Sequence, residues 1–248
     1  MSKIFDALRK AEEERGPVGW APGSGELQPG VHPRRMRTYE REFGRLSSML
    51  QSCFPKSRVG RVILVVGCAE REGASYVAAN LSRVLARSSG APVLCLDGDF
   101  HSPSLPKELN VGAGRGLADV YANGKPVNVT PLIRPADVTN LYVMTTGERR
   151  IAPVNFFDSE QFDALLASFR KTFRFVIVDG APLLKHPDSL HLAARTDGVI
   201  LVVRYKHLKR EIVREAKEML ESVKAPILGA VLNRRRFAIP SLVYKMLS

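Results

Sequence analysis

The chain has 248 residues, 45% of them hydrophobic, and a formal net charge of +12. That length and apolar content can bury a sizeable core, which excludes a disordered or fibrous chain. No apolar run reaches the roughly 18 residues that span a bilayer, and the N-terminus lacks the apolar core of a secretion signal, so a cytoplasmic chain is expected.

The excess of cations is either an ordinary solvated surface or a face for something acidic, such as nucleic acid, an anionic membrane or an acidic protein. Residues 1–15, MSKIFDALRKAEEER, place Ile4, Phe5, Leu8 and Ala11 on one face and predict an amphipathic helix. Such a helix packs on the body, docks on a partner or lies on a membrane. Residues 16–37 are dense in Gly and Pro without an apolar period and read as a linker. The main domain is then 38–248, opening with a helix over 38–52 whose apolar face is Phe43, Leu46, Met49 and Leu50.

Beyond it, short apolar runs predict strands at Arg61–Val66, Val93–Leu96, Leu141–Met144, Phe175–Val178, Val199–Val203 and Ile227–Leu232. Helical patterns lie between several of them, at 74–88, 159–171, 187–195 and 208–222. Unbroken apolar strands are buried on both faces. Alternation of strand and helix predicts an α/β fold with a doubly wound, mostly parallel sheet. Cys53, Cys68 and Cys95 show no metal-ligand spacing and indicate a reducing compartment, with Cys95 a buried thiol. The five histidines show no metal spacing either.

In such sheets ligands bind at the carboxyl ends of the strands. The first strand ends in VVGCAEREGAS, a strand–turn–helix junction where a phosphate-binding turn carries Gly-Lys-Ser or Gly-Lys-Thr; here the triplet is Gly73-Ala74-Ser75. The second strand ends in LDGDFHSP, with Asp97 and Asp99; another ends in DGAP, with Asp179; the last ends at Asn233. Three carboxylates and an asparagine are thus expected at one rim, facing that turn. The run Arg234-Arg235-Arg236 is either an anion-binding cluster or a solvated loop.

LDGDFHSPSL, FRFVIVDGAPLL, GLADVYANG, LYVMTTGE, DGVILVVR and ILGAVLNR, in this order, resemble the motifs of the bacterial tyrosine kinases of capsule and exopolysaccharide synthesis, a branch of the ParA/MinD-type P-loop ATPases. The leader MSKIFDALRKAE and the tail IPSLVYKML are similar to segments of the same proteins, so the resemblance covers nearly the whole chain apart from the linker. It implies a P-loop-type fold with ATP and Mg²⁺ as cofactors. It puts Gly73, Ala74 and Ser75 in the nucleotide-binding loop, Ser75, Asp97 and Asp179 at the magnesium positions, and Asp97 and Asp99 at the catalytic acidic positions. Asn233 falls where the family contacts the adenine base, and Tyr244 is what remains of a C-terminal cluster of phosphorylated tyrosines.

The loop departs from the family pattern at several places. Ala74 stands at the lysine, Arg71 and Cys68 stand at glycines, and Ala69 stands at the extra lysine of the ParA/MinD-type loop. The lysine reaches the phosphates and stabilises charge in transfer, and the glycines let the backbone approach them. Glu70 and Glu72 add two carboxylates nearby, and Arg71 is a candidate substitute cation. The oligomerising Glu-x-x-Arg-x-x-Arg pattern of the family is reduced to Glu42, Arg45 and Ser48.

Three functions compete. The first is a cytoplasmic, membrane-peripheral kinase-like regulatory subunit with lost or weak activity. The resemblance gives it a membrane-embedded polysaccharide chain-length or export protein as partner, and self-association or assembly with an active kinase. The second is an active ATP-dependent tyrosine autokinase using Arg71. The third is a ParA/MinD-like positioning ATPase on DNA or lipid, against which the kinase form of LDGDFHSPSL and the leader argue. Nucleic acid is therefore the partner the sequence favours least.

Overall fold

A computed structural model describes residues 33–54, 59–112, 114–121, 128–147 and 156–234 of the protein. The expected helix over 1–15, most of the linker, Arg235, Arg236 and Tyr244 lie outside the described residues.

The first described element, α1 (Pro33–Cys53), starts earlier than position 38, so the end of the expected linker is helical. A proline at the head of a helix costs no intrahelical bond. Among the α1 residues whose burial is described, Leu50 and Ser47 are buried, whereas Met49, expected on the apolar face, is 67% exposed. Residues 43, 47 and 50 form one stripe at helical spacing, and Met49 falls beside it. This stripe packs on the next helix through Ser47 Oγ and Ser88 Oγ, 3.0 Å apart, and an edge contact between Phe43 and Tyr76.

The strands are β1 (Arg61–Gly67), β2 (Val93–Asp97), β3 (Arg134–Pro135), β4 (Leu141–Met144), β5 (Phe175–Gly180), β6 (Gly198–Arg204) and β7 (Ile227–Asn233). They form one sheet in the order β3-β4-β2-β5-β1-β6-β7, parallel except where the short β3 runs against β4. The main helices are α2 (Ala74–Ser89), α4 (Glu160–Thr172), α5 (Asp188–Ala193) and α6 (Arg210–Ser222), with the short α3 at Leu105–Glu108. Ser159 caps α4, its hydroxyl accepting from Phe162 N at 3.2 Å.

Alternate residues of the central strands face two cores. Val62, Leu64, Val66, Val176 and Val178 pack against Phe162, Leu166 and Phe169 of α4 and Leu220 of α6. Ile63, Val65, Cys95, Ile177 and Val202 pack against Val77, Leu81 and Leu85 of α2. The sheet is thus covered on both faces, which is why its central strands lack a polar alternation. The exception is β7, expected to be buried on both faces. It has β6 as its single neighbour, and Leu232 is 50% exposed.

Candidate functional site

The site begins where β1 stops. Gly67 ends the strand, the loop runs from Cys68 to Gly73, and Ala74 opens α2. Gly73 has φ 88°, and a Cβ on it would stand 2.3 Å from Asn233 Nδ2. Both facts require glycine there. No side chain caps α2 at this end, so its first-turn N–H groups, which have no intrahelical acceptors, and its positive dipole end face the loop. Arg71 adopts φ 63°, a left-handed conformation natural to glycine and costly for arginine. The expectation that this position asks for glycine therefore has a backbone reason. Ala74 packs its methyl group against the core under the loop.

β2 and β5 bring the carboxylates in. They are adjacent and parallel, with Asp97 paired to Asp179 in register, and Val65 of β1 lies beside Asp179 on its other side. Asp97 and Asp179 are fully buried and Asp99 nearly so. Asp99 Oδ1 accepts from the backbone N–H groups of His101 and Ser102, both at 2.9 Å. Asp97 Oδ1 accepts from Asp99 N at 3.2 Å. Asp97 Oδ2 and both oxygens of Asp179 are buried without a hydrogen-bond partner among the described residues.

Burial, reinforced by the Asp179 carboxylate, pushes Asp97 well above the usual carboxylate range. Burial also raises Asp179, to about 8; the nearby Ser75 hydroxyl opposes the rise without completing a hydrogen bond, while Asp99 adds to it. Unsatisfied buried oxygens at a strand-end rim call for a proton or a cation. Among the described residues no three His, Cys, Asp or Glu side chains are grouped to hold a metal by themselves. Magnesium asks for less: one or two carboxylates, with phosphate oxygens and water completing the shell. Asp97, Asp179 and the Ser75 hydroxyl fit that donor set.

The two glutamates of the loop have opposite surroundings. Glu72 is buried, accepts from Arg204 N, and lies 3.7 Å from His207 Nε2; burial raises its pKa. Glu70 points outward and pairs with Lys185, whose ammonium holds its carboxyl below the usual range. Asn233 sits where expected, but both ends of its amide are engaged. Nδ2 donates to Glu72 O at 2.8 Å, and Oδ1 accepts from Arg234 N at 2.8 Å. In this arrangement it braces the loop.

Sequence reasoning missed Lys185, His207 and the pair His101–His186, whose rings stack 3.6 Å apart. Burial, followed by the neighbouring His101, lowers the pKa of His186. The signal for Lys185 was its position six residues past Asp179, on a loop that leaves a strand at the ligand-binding rim.

No protein-family profile matches the chain. Several curated proteins align with most of it. The tyrosine-protein kinase CpsD of Streptococcus agalactiae is 24% identical over 202 residues, 81% of this chain and 86% of that protein. The tyrosine-protein kinase YwqD of Bacillus subtilis is 27% identical over 176 residues, 71% of this chain and 73% of that one. Among solved structures, the chimerical protein CapA2B2 superposes with a TM-score of 0.72 at 26% identity, covering 85% of this chain and 88% of that one. The chain is similar in sequence and fold to bacterial tyrosine-protein kinases. The fold is shared with MinD of Pyrococcus horikoshii, solved with Mg-ADP, which matches with a TM-score of 0.58 at 22% identity over 76% of this chain and 77% of that one. No described helix of the chain is long and apolar enough to cross a membrane.

Proposed function

We propose that this tyrosine-kinase-like chain serves capsule or exopolysaccharide synthesis as a regulatory subunit whose phosphoryl-transfer activity is lost or feeble. One observation carries the reading: the head of α2 presents the methyl group of Ala74, packed on the core, where the family motif places a lysine. An alanine supplies no charge to the β- and γ-phosphates, and the loss of one preorganised donor of this kind costs roughly 10²–10³ in rate.

The acidic half of the site supports retained metal binding. Ser75, Asp97 and Asp179 would hold magnesium, which supplies charge neutralisation for phosphate oxygens when bound. Asp99, tied to two backbone N–H groups, holds the turn after β2 in place beside Asp97. The first-turn N–H groups of α2 would face phosphate. Contact of Asn233 with a base would require it to release Glu72 O.

The partner we propose is a membrane-embedded polysaccharide chain-length or export protein, met from the cytoplasmic side. The net charge of +12 favours an acidic partner face or an anionic membrane. Self-association, or assembly with an active kinase, belongs to the same proposal.

The test is a calorimetric MgATP titration beside a tyrosine autophosphorylation assay on the full chain. The expected result is affinity well weaker than micromolar and little or no phosphotyrosine. Low-micromolar affinity with robust phosphotyrosine would make the chain an active autokinase.

A further inference from the structure

We propose that the hollow between the β1–α2 loop and the loop after β5 is an oxyanion site in which Lys185 supplies the cation that Ala74 lacks, with Glu70 as its resident counter-ion. This rests on the kinase-like reading of the loop and names the residue that would serve it. The hollow has a volume of about 670 Å³ and is lined by Ala69, Glu70, Arg71, Leu184, Lys185 and His207.

Three features hold Lys185 there. Leu183 N donates to Gly67 O at 3.0 Å and Leu184 N to Cys68 O at 3.1 Å, so the loop after β5 is stitched to the end of β1 and the first loop residue. Lys185 N and His186 N both donate to Pro182 O, at 3.2 and 3.0 Å, which closes the turn under the lysine. The ammonium then meets the Glu70 carboxylate across the hollow. Glu70 is thereby a carboxylate standing where a phosphate oxygen of a ligand would stand.

The exchange is cheap. Both partners are more than half exposed, and an exposed ion pair is worth little. A polyphosphate offers several charged acceptors to the same ammonium, and charge-assisted contacts of that kind are the stronger ones. A second, independent feature points to a ligand: the unpartnered buried oxygens of Asp97 and Asp179 lie on the same rim, one of them on the strand that leads into the Lys185 loop. They call for a cation, so the ligand class is a magnesium-bound polyphosphate and not a bare anion. Arg71 is exposed at the lip of the hollow.

A structural salt bridge and an anion site make opposite forecasts. If the pair only staples the two loops, removing either partner loosens the loop and shifts ligand affinity in the same direction. If Lys185 binds the ligand and Glu70 competes for it, the two changes shift affinity oppositely.

The experiment is calorimetric titration of the full chain with MgATP and with magnesium tripolyphosphate. Lys185→Ala is expected to weaken both about tenfold, Glu70→Gln to tighten both about threefold, and Lys185→Arg to keep the affinity. Equal response to ATP and tripolyphosphate places the contact on the phosphates. No measurable binding in the unaltered chain, no effect of Lys185→Ala, or shifts of the same sign for Lys185→Ala and Glu70→Gln would overturn the proposal. Robust autophosphorylation would overturn the regulatory reading alone, because the pattern of signs judges Lys185 whether or not transfer occurs.

Discussion

The two halves of the candidate site stand on different kinds of backbone. Asp97 and Asp179 end buried parallel strands in register, with the core on both faces of the sheet. The Cys68–Gly73 loop carries its chemistry on side chains at positions such as Glu70 and Arg71, which face solvent. Altering the first half disturbs the sheet; altering the second leaves the sheet intact. The fold is thus held by one set of residues and the loop chemistry by another, so fold and chemistry have to be argued separately.

Rebuilding the loop should have the largest effect. Arg71→Gly combined with Ala74→Lys is expected to raise MgATP affinity on the order of 100-fold, about the worth of one strong charge-assisted contact, measured by calorimetry. Ala74→Lys alone should gain only part of this, because Arg71 keeps the loop in a left-handed turn with a side chain on it. Equal gains from the single and double variants would show that the arginine does not obstruct the loop.

The acidic half should declare itself in the pH dependence of stability. A carboxyl whose folded pKa is raised keeps its proton longer in the folded chain than in the unfolded one. Its stabilisation is complete below the unfolded value near 4 and is lost as pH rises towards about 8, the value for Asp179. Without magnesium, the folding free energy should fall by a few kcal/mol across that interval, read from denaturant midpoints. Asp179→Asn should flatten the curve. A wild-type profile flat from pH 5 to 8 would mean that the buried pair is neutralised by something else.

A smaller effect tests the loop backbone. Arg71→Gly alone should stabilise the chain by about 1 kcal/mol, the cost of a left-handed non-glycine residue. A loss of stability would show that the arginine side chain makes a contact worth more than that strain.

The smallest effect concerns what lies outside both halves. Deleting residues 1–30 should move the melting temperature by less than about 5 °C, which corresponds to roughly 1 kcal/mol for a domain of this size. A larger drop would show that the N-terminal segment packs on the sheet domain and supports the site.

By itself the sequence determined the element plan and the chemical inventory. Six apolar runs became strands and four periodic segments became helices near their expected bounds, because period and burial are written locally in the order of side chains. The carboxyl-end rule placed Asp97, Asp99, Asp179 and the Gly73-Ala74-Ser75 turn on one rim, and the missing lysine was visible directly. Tertiary structure alone decided what those residues do to one another. Pairing β5 between β2 and β1 set Asp179 beside Asp97 and buried both, and that burial raised both pKa values. Folding the loop after β5 against Cys68 turned Glu70 from an apparent repulsive charge into the partner of Lys185, 115 positions away. It also closed the Asn233 amide onto the loop backbone and left Met49 outside the stripe of α1. Strand neighbours and ion pairs join residues far apart in the chain, and no local period records which distant residue will arrive.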